Sequence, residues 1–477
     1  MATDTTETGY AQGFTTLDRE VTLDRLQLDG ALPEWLEGSL LRTGPAQFEI
    51  GGRSLNHWFD GLAMLHRFTF GSGEVAYANR FLQSRARRSA EAEGRQVYGE
   101  FATDPCRSIF GRVQSLFQPK ITDNCNVNVA RLGDRFVAMT ETPMPVEFDP
   151  VTLATLGIAY KPPGHVTTAH PHGDAATGEA INYVTRFGPK PTYRVYGLAA
   201  VDAPPRTIAE VAAKPVAYMH SFGLSERYVA LVEFPLVVKP LRLVLGTGPF
   251  MESFEWEPQR GTTFTVIDRR DGSLRGRYRA PPFFAFHHVN AFDDGEQRLV
   301  LDLCAYDDAA IVRSLFLDRL RSGTAGAVPD AYLTRCTVDL AGGGVTLERR
   351  SETPLELPRI DYGAVNGRPY RWVYGAARRA GAPAHGFIDQ LVKIDAGDGA
   401  ATTWSEEGCF PGEPVFVGAP GRSSEDDGVC LSVVLDGAAG TSFLLVLDAA
   451  TFTERARAAV PHHIPFSFHG QFARGVA

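Results

Sequence analysis

The chain lacks an excess of basic charge, is poor in cysteine and contains no long apolar run. Its 477 residues carry 47 Lys and Arg against 56 Asp and Glu, a formal net charge of −9 with the histidines neutral. Without concentrated positive charge there is no electrostatic footprint for nucleic acid, and no nucleic-acid partner is expected. Only six of the basic residues are Lys, which reads as codon bias and identifies nothing. Six cysteines (Cys106, Cys125, Cys304, Cys336, Cys409, Cys430) are scattered with no CxxC spacing. That pattern fits reduced thiols better than a disulfide frame or a zinc site. The longest apolar stretch, FPLVVKPLRLVL from Phe234 to Leu245, is broken by Pro235, Lys239, Pro240 and Arg242. It falls short of the ~20 residues a spanning helix needs. The opening MATDTTETGYAQGF has neither a basic n-region nor an apolar h-region, so action in the cytoplasm is expected.

What is present is the apolar content of a folded protein, 44% hydrophobic and 10% aromatic. The commonest local pattern is a short β-branched or aromatic run, an Asp- and Gly-rich turn, and another short run, as in FTFGSGEVAYANRF from Phe68, VEFDPVTLATLG from Val146, FTVIDRRDGSLRGRY from Phe264, LVKIDAGDGAATTW from Leu391 and LLVLDAATFTERARA from Leu444. This is hairpin grammar and predicts a chain dominated by strands. Four of these runs end in Asp149, Asp268, Asp395 and Asp448, at separations of 119, 127 and 53 residues. The spacing approximates two, two and one unit of a degenerate repeat of β-sheet blades. Helical periodicity is scarce, the best case being SIFGRVQSLF, with Ile109, Phe110, Val113, Leu116 and Phe117 on one face. No low-complexity linker divides the chain, so residues 1–477 are read as one domain with residues 1–15 as a flexible tail.

Any single one of the twelve histidines is more often a satisfied structural residue than a ligand. Context raises four of them: His170 in TTAHPHGD, His220 in AYMHSFGL, His287 in FAFHHVNAFDD and His469 in IPFSFHGQF. They are spread from mid-chain to its end, as residues aimed from separate blades at a propeller axis would be.

The blocks GSLLRTGP, NHWFDGLAMLHRF, TDNCNVNV, AHPHGD, MHSFGL, FHHVNAF, GEPVFV and SFHGQF resemble, in order and spacing, the signature blocks of the carotenoid cleavage oxygenases. The likeness runs from about Leu32 to Phe472 and is strongest to the branch containing animal β-carotene oxygenases and the retinoid isomerohydrolase; this chain looks like a microbial relative. The resemblance implies an all-β fold, a seven-bladed β-propeller with a cap of loops and short helices. It also implies one Fe(2+) per chain on the axis, held by His170, His220, His287 and His469, with His172 and His288 as neighbours and His57, His462 and His463 as non-ligands. Ligating imidazoles usually donate their other N–H to an oriented acceptor, and Glu141, Glu356 and Glu413 match the family's supporting carboxylates. Thr140 matches a threonine that approaches the open iron position. Phe59, Asp60 and Gly61 are read as shaping a turn.

The function implied is dioxygenase cleavage of a carbon–carbon double bond in a carotenoid or apocarotenoid, with a lipophilic polyene and O2 as partners, aldehydes or ketones as products, and no protein partner inferred. PPFFAF, adjacent to His287, is expected near the substrate. Two segments match a membrane-dipping patch suited to monotopic attachment: Ile109, Phe110, Val113, Leu116 and Phe117, and Leu236, Val237, Val238, Leu241 and Leu243. The Cys of a PDPCK-like motif aligns with Cys106, but Thr103 and Arg107 depart from that motif. Three other readings stay open: stilbene cleavage, against which Thr140 stands where a Lys would be; retinyl ester isomerohydrolysis; and a propeller that serves only as a binding scaffold.

Overall fold

The computed structural model describes residues 9–104, 121–239, 248–295, 297–322, 328–382 and 386–476. Its strands form seven antiparallel blades around an axis, with two small two-stranded sheets apart from them. Each of the five sequence hairpins forms adjacent antiparallel strands of one blade, for example Thr262–Asp268 with Leu274–Ala280 and Thr441–Asp448 with Glu454–Val460.

The outer hairpins share one turn. Asp149, Asp268, Asp395 and Asp448 each end the third strand of a blade, and Asp339 does so in the blade between those of Asp268 and Asp395. In all five, the backbone N–H four residues on donates to the aspartate's own carbonyl. The carboxylate meanwhile accepts N–H groups of the intervening turn, as Asp448 does from Ala450 and Thr451. The fourth residue after each Asp has positive φ: Leu153, Gly272, Gly343, Gly399 and Phe452. An Asp side chain that replaces missing backbone partners is why this residue type recurs at blade edges.

Burial explains the strand compositions. Second and third strands are covered on both faces by neighbouring blades, so every residue of Tyr228–Glu233 and of Gln390–Asp395 is buried. Outermost strands face water and are polar in part, as in Leu274–Ala280. The ring closes at two places. Gly470–Ala473 becomes the innermost strand of the first blade, against Gly38–Gln47, while Gln27–Gly30 becomes the outermost strand of the last, against Glu454–Val460. Both ends of the chain are thereby tied into the ring by strand pairing.

The segment expected to be a flexible tail is docked where it is described. Gly9–Phe14 is a 3-10 turn whose Tyr10 and Phe14 are buried. Phe14 packs edge-on against Trp58 and Phe387 beneath the cap; aromatic burial of this size outweighs the loss of chain freedom. The five cysteines among the described residues are buried free thiols. No helix among the described residues is long and apolar enough to cross a membrane.

Candidate metal centre

All seven blades contribute to one site. His170 precedes the inner strand His172–Gly173, His220 precedes Gly223–Leu224, His287 lies within Phe284–Asp293, and His469 precedes Gly470–Ala473. The other three blades contribute Glu141, after the strand Arg135–Met139, Glu356, at the start of Glu356–Arg359, and Glu413, just before Val415–Gly418. Propeller geometry brings the inner strands of all blades to one axis, so residues hundreds of positions apart converge.

The four histidines present ligand atoms that all lie within 4.8 Å of one another. Nε2 of His170 is 3.0 Å from Nε2 of His220, and Nε2 of His287 is 3.0 Å from Nε2 of His469. Three Nδ1 atoms are taken by carboxylates: His220 to Glu141 at 2.7 Å, His287 to Glu356 at 2.5 Å, and His469 to Glu413 at 2.8 Å. A ring nitrogen facing a carboxylate carries the proton, which leaves the lone pair on Nε2. For His287 and His469, each with its Nδ1 so engaged, the two Nε2 atoms therefore face each other as acceptors at contact distance. His170 is held well below the ordinary imidazole range by burial and by the other three histidines, and His469 is lowered to about 4 by burial against the pull of Glu413. Converging buried lone pairs are stabilised by a cation, and four neutral imidazoles suit a divalent transition metal. The residues fit the iron that the sequence blocks imply.

Each carboxylate is itself anchored. Tyr218 donates its hydroxyl to Glu141 at 2.7 Å, and Tyr306 donates to Glu356 at 2.9 Å. Glu413 is fully buried; its Oε2 accepts the Gly470 N–H at 2.9 Å, and the guanidinium groups of Arg359 and Arg42 stand 3.6 and 3.9 Å away. Burial pushes the Glu413 carboxyl up, but Arg359, His469 and Arg42 together outweigh it and hold it at about 2. Tyr218, Tyr306, Arg42 and Arg359 are functional neighbours that the structure brings to light. Arg42 lies in GSLLRTGP and could have been found as a charged residue inside an apolar strand. Tyr306, 50 residues from Glu356, has no local signal.

The other histidines have different tasks. His172 donates through Nε2 to the Phe222 carbonyl and accepts at Nδ1 from the Tyr362 hydroxyl, and His288 pairs with Ser221. His57 caps the turn Trp58–Asp60, accepting from Phe59 N–H, and Asp60 closes that cap from the other side. The WFDG block thus shapes a turn as expected, and Phe59 also forms part of the site wall. Thr140 is half-buried, directly before Glu141.

His220, His287 and His469 line an apolar cavity walled by Trp58, Phe59, Phe286, Leu355, Phe387 and Phe468. From PPFFAF only Phe286 reaches it; Phe283 and Phe284 pack against Phe234 in the core. A second, polar cavity on the axis is lined by His170, His172, His288, Arg359 and Tyr362. Of the expected membrane residues, Leu236, Val237 and Val238 are 5, 3 and 4% exposed, in a strand paired with Phe254–Trp256. These three are core residues because the small sheet folds them inward. Ile109, Phe110, Val113, Leu116, Phe117, Leu241, Leu243 and Cys106 lie outside the described residues.

A seven-bladed propeller with four axial histidines, three of them backed by glutamate, defines a protein able to hold a metal ion in an all-histidine site. The profile of the retinal pigment epithelial membrane protein family matches residues 14–474, and the chain belongs to that family, the carotenoid oxygenases. It is 34% identical to the mitochondrial carotenoid-cleaving dioxygenase of Mustela putorius furo, over 96% of this chain and 95% of that one. It is 33% identical to the β,β-carotene 15,15'-dioxygenase of Mus musculus, over 94% and 88%. Among solved structures, a glutamate variant of Synechocystis apocarotenoid oxygenase superposes with a TM-score of 0.87 at 25% identity, covering 98% of each chain. The cobalt-substituted form of that enzyme superposes with a TM-score of 0.85 at the same identity and coverage.

Proposed function

We propose that this chain is a non-haem Fe(II) dioxygenase that cleaves a carbon–carbon double bond of a carotenoid or apocarotenoid, giving aldehyde or ketone products. The observation that carries the reading is the opening of a four-histidine centre onto an aromatic, apolar cavity, the surroundings a polyene requires. The names of the relatives, carotenoid-cleaving and β,β-carotene dioxygenases among them, support the substrate class.

One Fe(II) held by His170, His220, His287 and His469 supplies a centre able to bind dioxygen. The chain does the rest. Glu141, Glu356 and Glu413 hold three imidazole rings in one tautomer and one orientation. Tyr218 and Tyr306 keep two of those carboxylates in place, and burial with the adjacent glutamate keeps both phenols protonated as donors. Phe59, Phe286 and Phe468 exclude water from the alkene beside the histidines. Thr140 is assigned to the approach of small ligands to the metal that the four histidines would hold.

A polyene is nearly insoluble in water, so attachment to a membrane face in the cytoplasm belongs to the proposal. It rests on Ile109, Phe110, Val113, Leu116 and Phe117 with Arg107, Arg112 and Lys120 beside them. Flotation with anionic vesicles tests it, and loss of binding in Phe110→Asp/Phe117→Asp is the expected result.

Product analysis by liquid chromatography and mass spectrometry tests the activity, with iron-loaded protein, air, and detergent-dispersed β-carotene, apocarotenals, resveratrol and retinyl ester. Aldehydes from a polyene are expected. Conversion of resveratrol or retinyl ester alone would overturn the substrate class, and a chain that takes up no iron would be a scaffold.

A further inference from the structure

The apolar cavity contains one charged pair that the metal centre does not use. Among its described lining residues the charged side chains are Glu356, engaged by His287 and Tyr306, together with Asp330 and Arg378. Asp330 lies two residues before the strand Tyr332–Asp339, and Arg378 directly follows Trp372–Ala377 in the next blade. An Arg378 guanidinium nitrogen contacts Asp330 Oδ2 at 2.8 Å, and the side chains are 16 and 25% exposed. Their neighbours on the wall are Val328, Pro329, Ala377, Phe387 and Ile388.

We propose that Arg378 and Asp330 recognise an oxygenated end of the substrate, a hydroxyl or carbonyl at the terminus of the polyene. The inference rests on the reading that a polyene occupies this cavity. A carboxylate accepts a hydroxyl hydrogen, and a guanidinium donates to a hydroxyl or carbonyl oxygen. An oxygenated terminus therefore replaces the water that it displaces from the pair. A plain hydrocarbon ring covers the same charges and returns no hydrogen bond, which disfavours it. Because the pair and the histidines line one cavity, a terminus held at Arg378 also sets which double bond lies beside the metal.

The experiment compares β-carotene, which carries no oxygen, with zeaxanthin, hydroxylated at both ends, on iron-loaded wild type, Arg378→Met and Asp330→Asn. Wild type is expected to favour zeaxanthin about tenfold in kcat/KM, since a partly exposed polar pair discriminates less than a fully buried one. Both variants should bring that ratio towards one, chiefly by raising KM for zeaxanthin, and should broaden the set of products. Quenching of tryptophan fluorescence by each carotenoid under anaerobic conditions gives affinities without turnover, Trp58 being on the cavity wall. A wild-type ratio near one overturns the proposal. So does an unchanged ratio in both variants with a lowered Tm, since the pair then only staples two blades. Cleavage of β-carotene in either case leaves the dioxygenase reading standing, whereas bound iron with no binding and no cleavage of any polyene sinks both.

Discussion

Nε2 of His287 and Nε2 of His469 face each other at 3.0 Å across 182 residues of chain, with each ring's other nitrogen already committed to a glutamate. Two buried acceptors in that position repel unless a cation lies between them, and the predictions on metal binding follow from this.

Divalent iron or cobalt should raise Tm in proportion to the logarithm of its concentration above Kd, because the metal binds the folded state. His220→Ala should abolish this shift and leave the purified protein without stoichiometric iron by elemental analysis. His170→Ala should likewise lose iron and His172→Ala should retain it, since His172 is committed to Phe222 and Tyr362; equal metal loss in His170→Ala and His172→Ala would show the wrong member of the AHPH pair to be the ligand.

Glu413→Gln should weaken metal affinity by about 10- to 100-fold, the usual effect of removing a partner behind a ligating imidazole. Competition with a chelator measures this. Tyr306→Phe removes only a hydrogen bond to Glu356 and should have a smaller effect, within about tenfold.

The pH dependence of stability should carry a signature of Asp60. This buried carboxyl is raised to about 6 by desolvation, although Thr103, Ala102 and His57 donate to it. A raised carboxyl favours the protonated folded state, so its contribution is complete below the ordinary value near 3.8 and is lost as pH rises through about 6. Asp60→Asn has no such titration. The wild-type advantage in urea-melt stability should therefore fall between pH 4 and 6, by on the order of 2–3 kcal/mol. A difference independent of pH would show that Asp60 does not titrate there.

Two glycines at the same turn position should respond differently to alanine. Gly343 and Gly399 have φ of +84° and +81°, but a Cβ on Gly343 meets nothing within 4 Å whereas one on Gly399 would lie 1.9 Å from the Arg350 carbonyl oxygen. Gly343→Ala should cost only the left-handed conformation, about 1 kcal/mol, and Gly399→Ala distinctly more. Equal losses of Tm would mean that the Arg350 backbone yields freely.

The strands and their turns were readable because their causes are local. An aspartate that caps its own turn within five residues leaves a mark in the sequence wherever a blade ends, and it placed Asp149, Asp268, Asp395 and Asp448 correctly. Asp339 carries the same mark, in TVDLAGGGV. Burial of Leu236, Val237 and Val238 was not readable, because an apolar run with basic neighbours has the same composition on a membrane as in a small internal sheet. The docking of Tyr10 and Phe14 was hidden for a similar reason, since their partners Phe387 and Phe466 lie hundreds of residues away.

Residue types and short-range order thus gave the class of fold and singled out the four histidines and three glutamates that converge on the axis, through turn chemistry and through blocks that resemble a family. Which histidine leans on which glutamate, how Tyr218, Tyr306, Arg42 and Arg359 hold those carboxylates, and that Asp330 meets Arg378 in an apolar wall all came from closure of the ring. Those contacts join residues on different blades, and their distances depend on how seven sheets pack about an axis, a quantity that no window of sequence contains.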